Sequence, residues 1–259
     1  MFSLQLSLPA RLGRGKGPLL CKILCYGKLP LFWASLVFYP ASMEPVNTAS
    51  QDPGLAGRRG GNRALIVAVV NLKGGVGKTT TALYFAQVAR EEGNVPLVID
   101  ADNERSALEW SLSGELPYEV VPAQKDGLAR QARKLEQAGR VVIIDAPPNN
   151  REVLWAASAV ADRVVVPVAP TGVDVNRLRV TLEVLLDVEA TKGALDTSIL
   201  LTRWDKRKRL AREAEDLLEK FPLLDARIRS LTRYEDGFGS RPVYLEEYEQ
   251  AWTEVTSSG

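Results

Sequence analysis

The residues best suited to chemistry in this chain form one short stretch, residues 73–80, which reads Lys-Gly-Gly-Val-Gly-Lys-Thr-Thr. Glycines allow backbone N–H groups to converge on phosphate oxygens without an intervening Cβ atom. Lys78 can reach the β- and γ-phosphates of a nucleotide, and the Thr79 hydroxyl is suited to Mg²⁺. The stretch therefore predicts a phosphate-binding loop, with contacts from Gly74, Gly75, Val76, Gly77, Lys78, Thr79 and Thr80.

The segments on either side of this loop support that interpretation. Residues 65–70 form an apolar, β-branched run typical of a buried strand, and residues 81–90 have the pattern of a helix. A glycine loop between a strand and a helix binds phosphate well, because the helix N-terminus adds a positive field. A glycine-rich turn with incidental lysines is the alternative, and the agreement of strand, loop and helix argues against it.

Aspartates end two further apolar runs. Residues 95–100 end in Asp100, which Asp102 follows closely, and residues 141–145 end in Asp145. The carboxyl ends of parallel strands share one edge of a sheet, where α/β proteins bind ligands. We expect Asp145 to reach Mg²⁺ through a water, and Asp100 and Asp102 to point toward the same region, where a carboxylate can orient the attacking water. One such aspartate alone would favour a turn or a helix cap.

Strand-like and helix-like segments alternate along residues 63–259. The strands are apolar on both faces, as strands buried in a parallel sheet must be. We therefore predict one doubly wound α/β domain over this range, with a mostly parallel sheet flanked by helices. The other predicted strands are 118–122, 163–168, 198–202 and 226–229, and the other predicted helices are 106–112, 128–138, 175–189, 209–220 and 243–255.

Composition excludes several classes of function. The 259 residues contain no histidine, which excludes a Ser-His-Asp triad and His-ligated metal sites. Both cysteines, Cys21 and Cys25, lie in residues 1–62, so the predicted domain has no ligands for an iron–sulfur cluster. Residues 1–62 carry seven Lys/Arg against two Asp/Glu, whereas the rest of the chain carries 26 against 30. Any contact with nucleic acid must therefore come from a local basic patch.

Residues 1–62 differ in composition from the rest of the chain, and we expect a disordered extension there. Their apolar patch, residues 29–39, is about half the ~20 residues that a membrane helix requires. Met43 is a candidate for the true translation start. A cysteine-free domain is also what a reducing cytoplasm favours.

The loop sequence resembles the deviant Walker A motif of the ParA/MinD family. Leu72 stands where the ordinary P-loop motif has glycine, and Lys73 supplies an additional lysine before the first glycine of the loop. The resemblance covers residues 64–256 and implies a P-loop NTPase that binds and hydrolyses ATP with Mg²⁺. It further implies that Lys73 reaches the partner's nucleotide in an ATP-dependent homodimer, which hydrolysis dissolves.

The same resemblance assigns roles to individual residues. Asp102 corresponds to the hydrolytic carboxylate, Asp145 to the Walker B acid, and Asp100 supports the metal shell. Arg203 falls where the family often places residues that contact the nucleotide base. The family's usual Asp-x-Asp-Pro-Gln is here Asp-Ala-Asp-Asn-Glu, so Glu104 adds a negative charge beside the phosphates that we expect to affect hydrolysis. The implied catalytic residues are Lys73, Lys78 and Asp102.

The closest resemblance within the family is to ParA-type partition ATPases of chromosomes or plasmids. It implies non-specific binding of duplex DNA by the ATP dimer, stimulation by a ParB-like centromere-binding protein, and a cytoplasmic, nucleoid-associated location. A MinD-like membrane-associated positioning ATPase is the alternative, and it requires a basic amphipathic C-terminal helix. Residues 246–254 are acidic, which disfavours membrane binding. Amidoligase relatives share the loop, but we identify no added substrate machinery.

One basic stretch is the best candidate for contact with DNA phosphates. Residues 203–212 carry six positive charges against one negative charge. Arg227, Arg229 and Arg233 form a second, looser group. Positive charge without base-reading geometry gives affinity for DNA but carries no sequence information.

Overall fold

The computed structural model describes residues 64–124 and 127–257, and seven strands lie within them. All the strand pairs are parallel and form one sheet. The strands are β1 (Leu65–Val69), β2 (Pro96–Asp100), β3 (Glu119–Pro122), β4 (Val141–Asp145), β5 (Arg163–Val168), β6 (Thr197–Trp204) and β7 (Leu223–Arg229). Their order across the sheet is β3-β2-β4-β1-β5-β6-β7. The chain thus winds to both sides of β1, and the loop after β1 lies near the centre of the carboxyl edge.

Helices cover both faces of the sheet. They are α1 (Lys78–Glu91), α2 (Ser106–Ser113), α3 (Leu128–Gln137), α4 (Arg151–Val160), α5 (Gly172–Lys192), α6 (Arg209–Leu218), α7 (Thr232–Glu235) and α8 (Glu246–Thr256). Residues of α1, α2 and α8 contribute to one apolar core, and residues of α3, α4, α5 and α6 contribute to the other.

Strand β1 shows why the sheet is buried on both faces. Ile66 and Ala68 belong to one apolar core, whereas Leu65, Val67 and Val69 belong to the other. All five are buried. Since successive side chains of a strand point to opposite faces, a strand between two helical layers must be apolar at every position.

The predicted doubly wound α/β fold is confirmed, with some differences in individual elements. Helix α5 and strand β7 are longer than predicted, and α4 was not predicted at all. Helix α4 begins after Asn150, whose Oδ1 accepts a hydrogen bond from the backbone N–H of Val153 at 3.0 Å. Such an N-cap is a local signal that the sequence analysis missed. The extension predicted to be disordered, residues 1–62, lies outside the described residues.

Strand β7 lies at one edge of the sheet, and two glutamates of α8 bind its backbone. The carboxylate of Glu254 accepts hydrogen bonds from the N–H groups of Asp225 and Ala226, at 2.6 and 2.9 Å. The carboxylate of Glu247 accepts from the N–H of Arg229 at 2.9 Å. Edge strands otherwise present such groups to solvent or to other chains. The acidic character of this helix therefore has a structural role.

The apolar face of α8 packs on α1. The Trp252 ring lies 5.4 Å from that of Phe85, and the Tyr248 ring lies 4.5 Å from that of Tyr84, measured between centroids. The Trp252 Nε1–H also donates to the carboxylate of Glu92 at 2.9 Å.

Over residues 64–124 and 127–257, no helix is both long enough and apolar enough to cross a membrane.

Candidate functional site

The glycine loop joins β1 to α1, in the strand–loop–helix order that was predicted. Gly75 and Gly77 have φ angles of +73° and +85°, in the left-handed region that glycine adopts without steric cost. Gly77 is the N-cap of α1, and its carbonyl accepts the N–H of Thr81 at 2.9 Å. A Cβ atom added to Gly74 would lie 3.6 Å from the Pro148 side chain, so the loop passes close to the segment after β4.

A buried polar network fixes the start of the loop. The Asn71 side-chain amide donates to the carbonyl of Pro167 at 2.8 Å. Its oxygen accepts hydrogen bonds from the N–H of Lys73 at 2.9 Å and from the hydroxyl of Thr181 at 3.1 Å. The Thr181 oxygen in turn accepts from the N–H of Leu72 at 3.2 Å. The sequence analysis missed Thr181, because its partner Asn71 lies 110 positions away in the chain and the local sequence gives no signal of such a contact.

The ends of other strands hold the rest of the loop. The Thr202 hydroxyl, in β6, donates to the carbonyl of Val76 at 2.8 Å. The N–H of Asn149, in the segment after β4, donates to the carbonyl of Leu72 at 2.9 Å. These contacts fix the loop from several sides, as a preorganised binding site requires.

The two lysines of the loop have different surroundings. Lys78 is buried, and its Nζ donates to the carbonyl of Lys73 at 3.1 Å. Burial lowers the pKa of Lys78; the carboxylates of Asp145 and Asp102 oppose this shift, and the charge of Lys73 reinforces it. Lys73 is half-buried, and its Nζ donates to the carbonyl of Gly74 at 3.3 Å. Both ammonium groups therefore lie over the loop, where phosphate oxygens are predicted to bind.

Asp145 ends β4 in an unusual electrostatic environment. Its carboxylate is buried, and neither oxygen has a hydrogen-bond partner of normal geometry among the described residues. Burial raises the pKa of Asp145 to about 7; the nearby Thr79 hydroxyl lowers this pKa, and the charge of Asp100 raises it. A buried carboxylate that accepts no hydrogen bond of normal geometry is energetically costly, so this position is suited to a cation.

The donor atoms at this position suit Mg²⁺ better than a transition metal. Thr79 supplies a hydroxyl and Asp145 a carboxylate, both of which are hard oxygen ligands. No group of three or more His, Cys, Asp or Glu side chains able to hold a metal occurs in the part of the chain that the structure describes. Mg²⁺ itself keeps several waters and needs few protein ligands.

Asp100 lies opposite Asp145 in the register of β2 and β4, but its oxygens are occupied. One oxygen accepts the N–H of Asp102 and the other accepts the N–H of Leu108, both at 3.0 Å. Burial raises the pKa of Asp100, and these backbone hydrogen bonds oppose the shift. Asp100 thus anchors the turn that leads into α2. Its contribution to the metal shell stays a prediction.

Asp102 is half-buried at the start of the turn after β2. Its Oδ1 accepts the N–H of Glu104 at 3.0 Å, and Glu104 itself is exposed. The Asp102 carboxylate raises the pKa of Lys78, so its field reaches the loop. The structure therefore brings Asp102 near the predicted phosphate site, and its role in hydrolysis stays a prediction.

A cavity of about 270 Å³ opens beside the end of the glycine loop. Gly77 and Thr80 form its loop side, and Arg203 lies on the opposite strand end with a φ angle of 51°. Trp110 and Phe238 also line the cavity, with their ring centroids 5.3 Å apart. The cavity therefore adjoins the glycine loop and has aromatic side chains in its lining, a combination suited to a nucleoside.

Comparison with known families places the chain in a class. Residues 67–237 match the family described as the CobQ/CobB/MinD/ParA nucleotide binding domain. The match includes the glycine loop and all three aspartates of the site. The chain therefore belongs to this family of P-loop nucleotide-binding proteins, and the predicted resemblance to ParA/MinD ATPases is confirmed.

Individual members of the family show how varied their tasks are. Maintenance of carboxysome distribution protein A from Gloeobacter kilaueensis is 34% identical over 176 residues, which are 66% of this chain and 79% of that protein. Chromosome partitioning protein ParA from Caulobacter vibrioides is 27% identical, over 62% of this chain and 78% of that protein. Cobyrinic acid a,c-diamide synthase from Mycobacterium smegmatis, solved with an ATP analogue and magnesium, has a TM-score of 0.59 at 21% identity, covering 76% of this chain and 97% of that one. This last likeness shows a shared fold.

Proposed function

We propose that this protein is a Mg²⁺-dependent ATPase that partitions DNA. The observation that carries the ATPase part of the proposal is the buried carboxylate of Asp145, which has no hydrogen-bond partner of normal geometry among the described residues and lies near Thr79 and Lys78 of the glycine loop. Thr79 would bind Mg²⁺ directly and Asp145 through a water, while Lys78 neutralises the β- and γ-phosphates. The bound cation would neutralise charge that develops on the phosphates during hydrolysis.

Asp102 is the residue that we assign to the attacking water. It lies at the carboxyl edge of the sheet and is half-buried, so a water can reach it. A carboxylate there orients or deprotonates the water as it attacks the γ-phosphate. Glu104 donates its backbone N–H to Asp102, and its own charge disfavours further negative charge at this edge. Hydrolysis is therefore expected to be slow without a stimulating partner.

Lys73 is assigned to an ATP-dependent homodimer. Its Nζ contacts the carbonyl of Gly74 at 3.3 Å, and the side chain is only half-buried, as a residue that meets a second copy at this edge requires. ATP would then hold two copies together, and hydrolysis would separate them.

The cavity beside the loop is proposed to hold the nucleoside of ATP. Arg203 lies at its rim, consistent with the predicted contact between this residue and the base. The rings of Trp110 and Phe238 provide flat apolar surface, against which a base can stack.

An exposed basic loop is the proposed DNA contact. Lys206, Arg207 and Lys208 are exposed between β6 and α6. Arg207 pairs with Asp205 at 3.0 Å, but its side chain is 84% exposed, so the pair is weak and solvent-screened. In the second basic group each arginine has an acidic partner: Arg227 pairs with Glu215, Arg229 with Glu247, and Arg233 with Glu246. The 206–208 loop is therefore preferred over the second group.

Two other functions compete with DNA partition. The 34% identity to a carboxysome distribution protein favours positioning of a protein cargo as a second candidate. A MinD-like membrane ATPase is less well supported, because Tyr248, Ala251, Trp252 and Val255 of α8 are buried in the domain. The partition function predicts a ParB-like centromere-binding partner and a nucleoid-associated location in the cytoplasm.

Retention of the full chain on DNA-coated beads and on liposomes tests the proposal. With ATP, the protein is expected to bind duplexes of two unrelated sequences equally well, and to bind them weakly with ADP. The logarithm of affinity should fall steeply with the logarithm of salt concentration, with a slope of about −0.9 per phosphate neutralised. The triple change Lys206→Glu, Arg207→Glu and Lys208→Glu should abolish retention. Retention on liposomes but not on DNA would contradict partition and favour the membrane alternative.

Three further sets of variants distinguish DNA binding, dimerisation and nucleotide binding. Charge reversal of Arg90, Arg130 and Lys134, which are exposed on α1 and α3, changes the net charge equally and should leave DNA retention intact. Lys73→Ala should bind ATP but neither dimerise by light scattering nor bind DNA. Lys78→Ala should bind no nucleotide. Equal loss of nucleotide binding in both lysine variants would contradict the cross-dimer role of Lys73.

A further inference from the structure

A glutamate of α8 holds two residues that line the cavity. One carboxylate oxygen of Glu247 accepts the backbone N–H of Arg229 at 2.9 Å, and the other binds the Arg229 guanidinium. The hydroxyl of Tyr234 donates to the same carboxylate at 3.0 Å. Arg229 and Tyr234 both line the cavity beside the glycine loop. A single side chain therefore joins the end of β7 and helix α7, which form one wall.

The surroundings of Glu247 favour strong interactions. Its side chain is only 12% exposed, so solvent screens its charge less than that of a surface glutamate. Hydrogen bonds to an ionised acceptor are roughly twice as strong as neutral ones. Burial raises the pKa of Tyr234, and the Glu247 charge raises it further, so the hydroxyl remains a donor.

The residue after Glu247 faces the same cavity. Tyr248 lines it and packs edge-on against Tyr234, with ring centroids 5.6 Å apart. The Tyr248 ring also lies 4.5 Å from that of Tyr84 in α1, the helix that the glycine loop caps. Helix α8 thus supports the cavity wall by a carboxylate and by a ring at adjacent positions.

We infer that Glu247 is a positioning residue for nucleotide binding: it holds Arg229 and Tyr234 in the orientation in which they contact the nucleoside. This inference rests on the proposed function, in that the cavity receives the nucleoside of ATP. The phosphates bind separately, at the glycine loop. Loss of Glu247 therefore weakens the nucleoside contribution to affinity and leaves the phosphate contribution unchanged.

Two ligands distinguish these contributions in the full chain: ADP, which has a nucleoside, and pyrophosphate, which has none. Calorimetry should show that Glu247→Ala weakens ADP about tenfold, as expected for lost hydrogen bonds to a charged group, and changes pyrophosphate affinity less than about twofold. Glu247→Gln, which keeps an acceptor oxygen, should recover part of the ADP affinity. Glu249→Ala is the matched control, because Glu249 is an exposed glutamate in the same first turn of α8.

Three results would overturn the inference. Equal loss of ADP and pyrophosphate affinity in Glu247→Ala, with a lower melting temperature, would show a purely structural role. Unchanged ADP affinity in a folded Glu247→Ala would show that Arg229 and Tyr234 need no such support. If Glu247→Ala does not fold, the ADP and pyrophosphate affinities of Glu247→Gln test the inference by the same criteria. A wild-type chain that binds neither ligand would instead overturn the proposed function, and the inference with it.

Discussion

Strands β2 and β4 lie side by side and end in aspartates that are in register, yet the two carboxylates have opposite environments. Asp100 accepts two backbone hydrogen bonds, whereas Asp145 has no partner of normal geometry among the described residues. Both are buried. Equivalent positions at the ends of neighbouring strands therefore need not have the same role: Asp100 supports the backbone, whereas the oxygens of Asp145 stay available to the proposed metal ion.

The largest effect on hydrolysis is expected for a substitution at Asp145, which tests its contrast with Asp100 directly. Asp145→Asn should lower Mg²⁺-dependent ATP hydrolysis by about a thousandfold, because the metal contributes several kcal/mol to the transition state. The same change should not lower the melting temperature of the nucleotide-free protein, since it replaces a buried carboxylate whose oxygens accept no hydrogen bond of normal geometry among the described residues. Phosphate release and thermal unfolding check both statements. The exposed Asp216→Asn serves as the control, and a strongly destabilised Asp145→Asn would refute the contrast.

A smaller effect on hydrolysis is expected for a substitution at Asp102, the third carboxylate at this edge of the sheet. Asp102→Ala should slow hydrolysis about a hundredfold, as loss of a general base typically does. ATP should remain bound, so the dimer should persist in light scattering long after the wild-type dimer has separated. Turnover equal to that of the wild type would remove Asp102 from the mechanism and transfer the role to Glu104 or Asp100.

The smallest effect on catalysis is expected at Asp100, where stability should change instead. Asp100→Asn places an amide NH₂ against one of two backbone N–H donors, so one buried donor loses its acceptor. Urea unfolding should show a loss of about 1–3 kcal/mol in the free energy of unfolding. Hydrolysis by the folded fraction should stay within about tenfold of the wild type. If activity fell as far as in Asp145→Asn while stability held, Asp100 would be a metal-shell residue as the family resemblance implies.

Much of this site was predictable from local sequence, and the strands that position it were predictable for the same reason. The run at 141–145 is apolar at each position before its final aspartate, which is the pattern that a strand buried on both faces requires. The loop at 73–80 carries Gly75 and Gly77 at the two positions where its backbone adopts left-handed geometry. In both cases the structural requirement falls on residues that are consecutive in the chain, so a local sequence pattern is enough to predict the feature.

The rest depends on contacts between residues that are distant in sequence. Thr181 and Glu247 act on the loop and the cavity wall through partners that the chain brings together only on folding. The acidic residues of α8 were interpreted only as evidence against membrane binding, whereas two of them bind the backbone of β7. The distinction between Asp100 and Asp145 likewise depends on which backbone N–H groups surround each carboxylate, and no residue pattern encodes that.

The packing of α8 against α1 has a consequence for synthesis. Trp252 and its hydrogen-bond partner Glu92 are 160 positions apart in the chain. At ribosomal rates of about 5–20 residues per second, the aromatic residues of α1 are synthesised roughly 8–30 seconds before the residues of α8 against which they pack. During that interval Tyr84 and Phe85 are available to chaperones, and the cavity wall is incomplete. A nascent chain would therefore complete the wall of the proposed nucleoside cavity only after α8 has been synthesised.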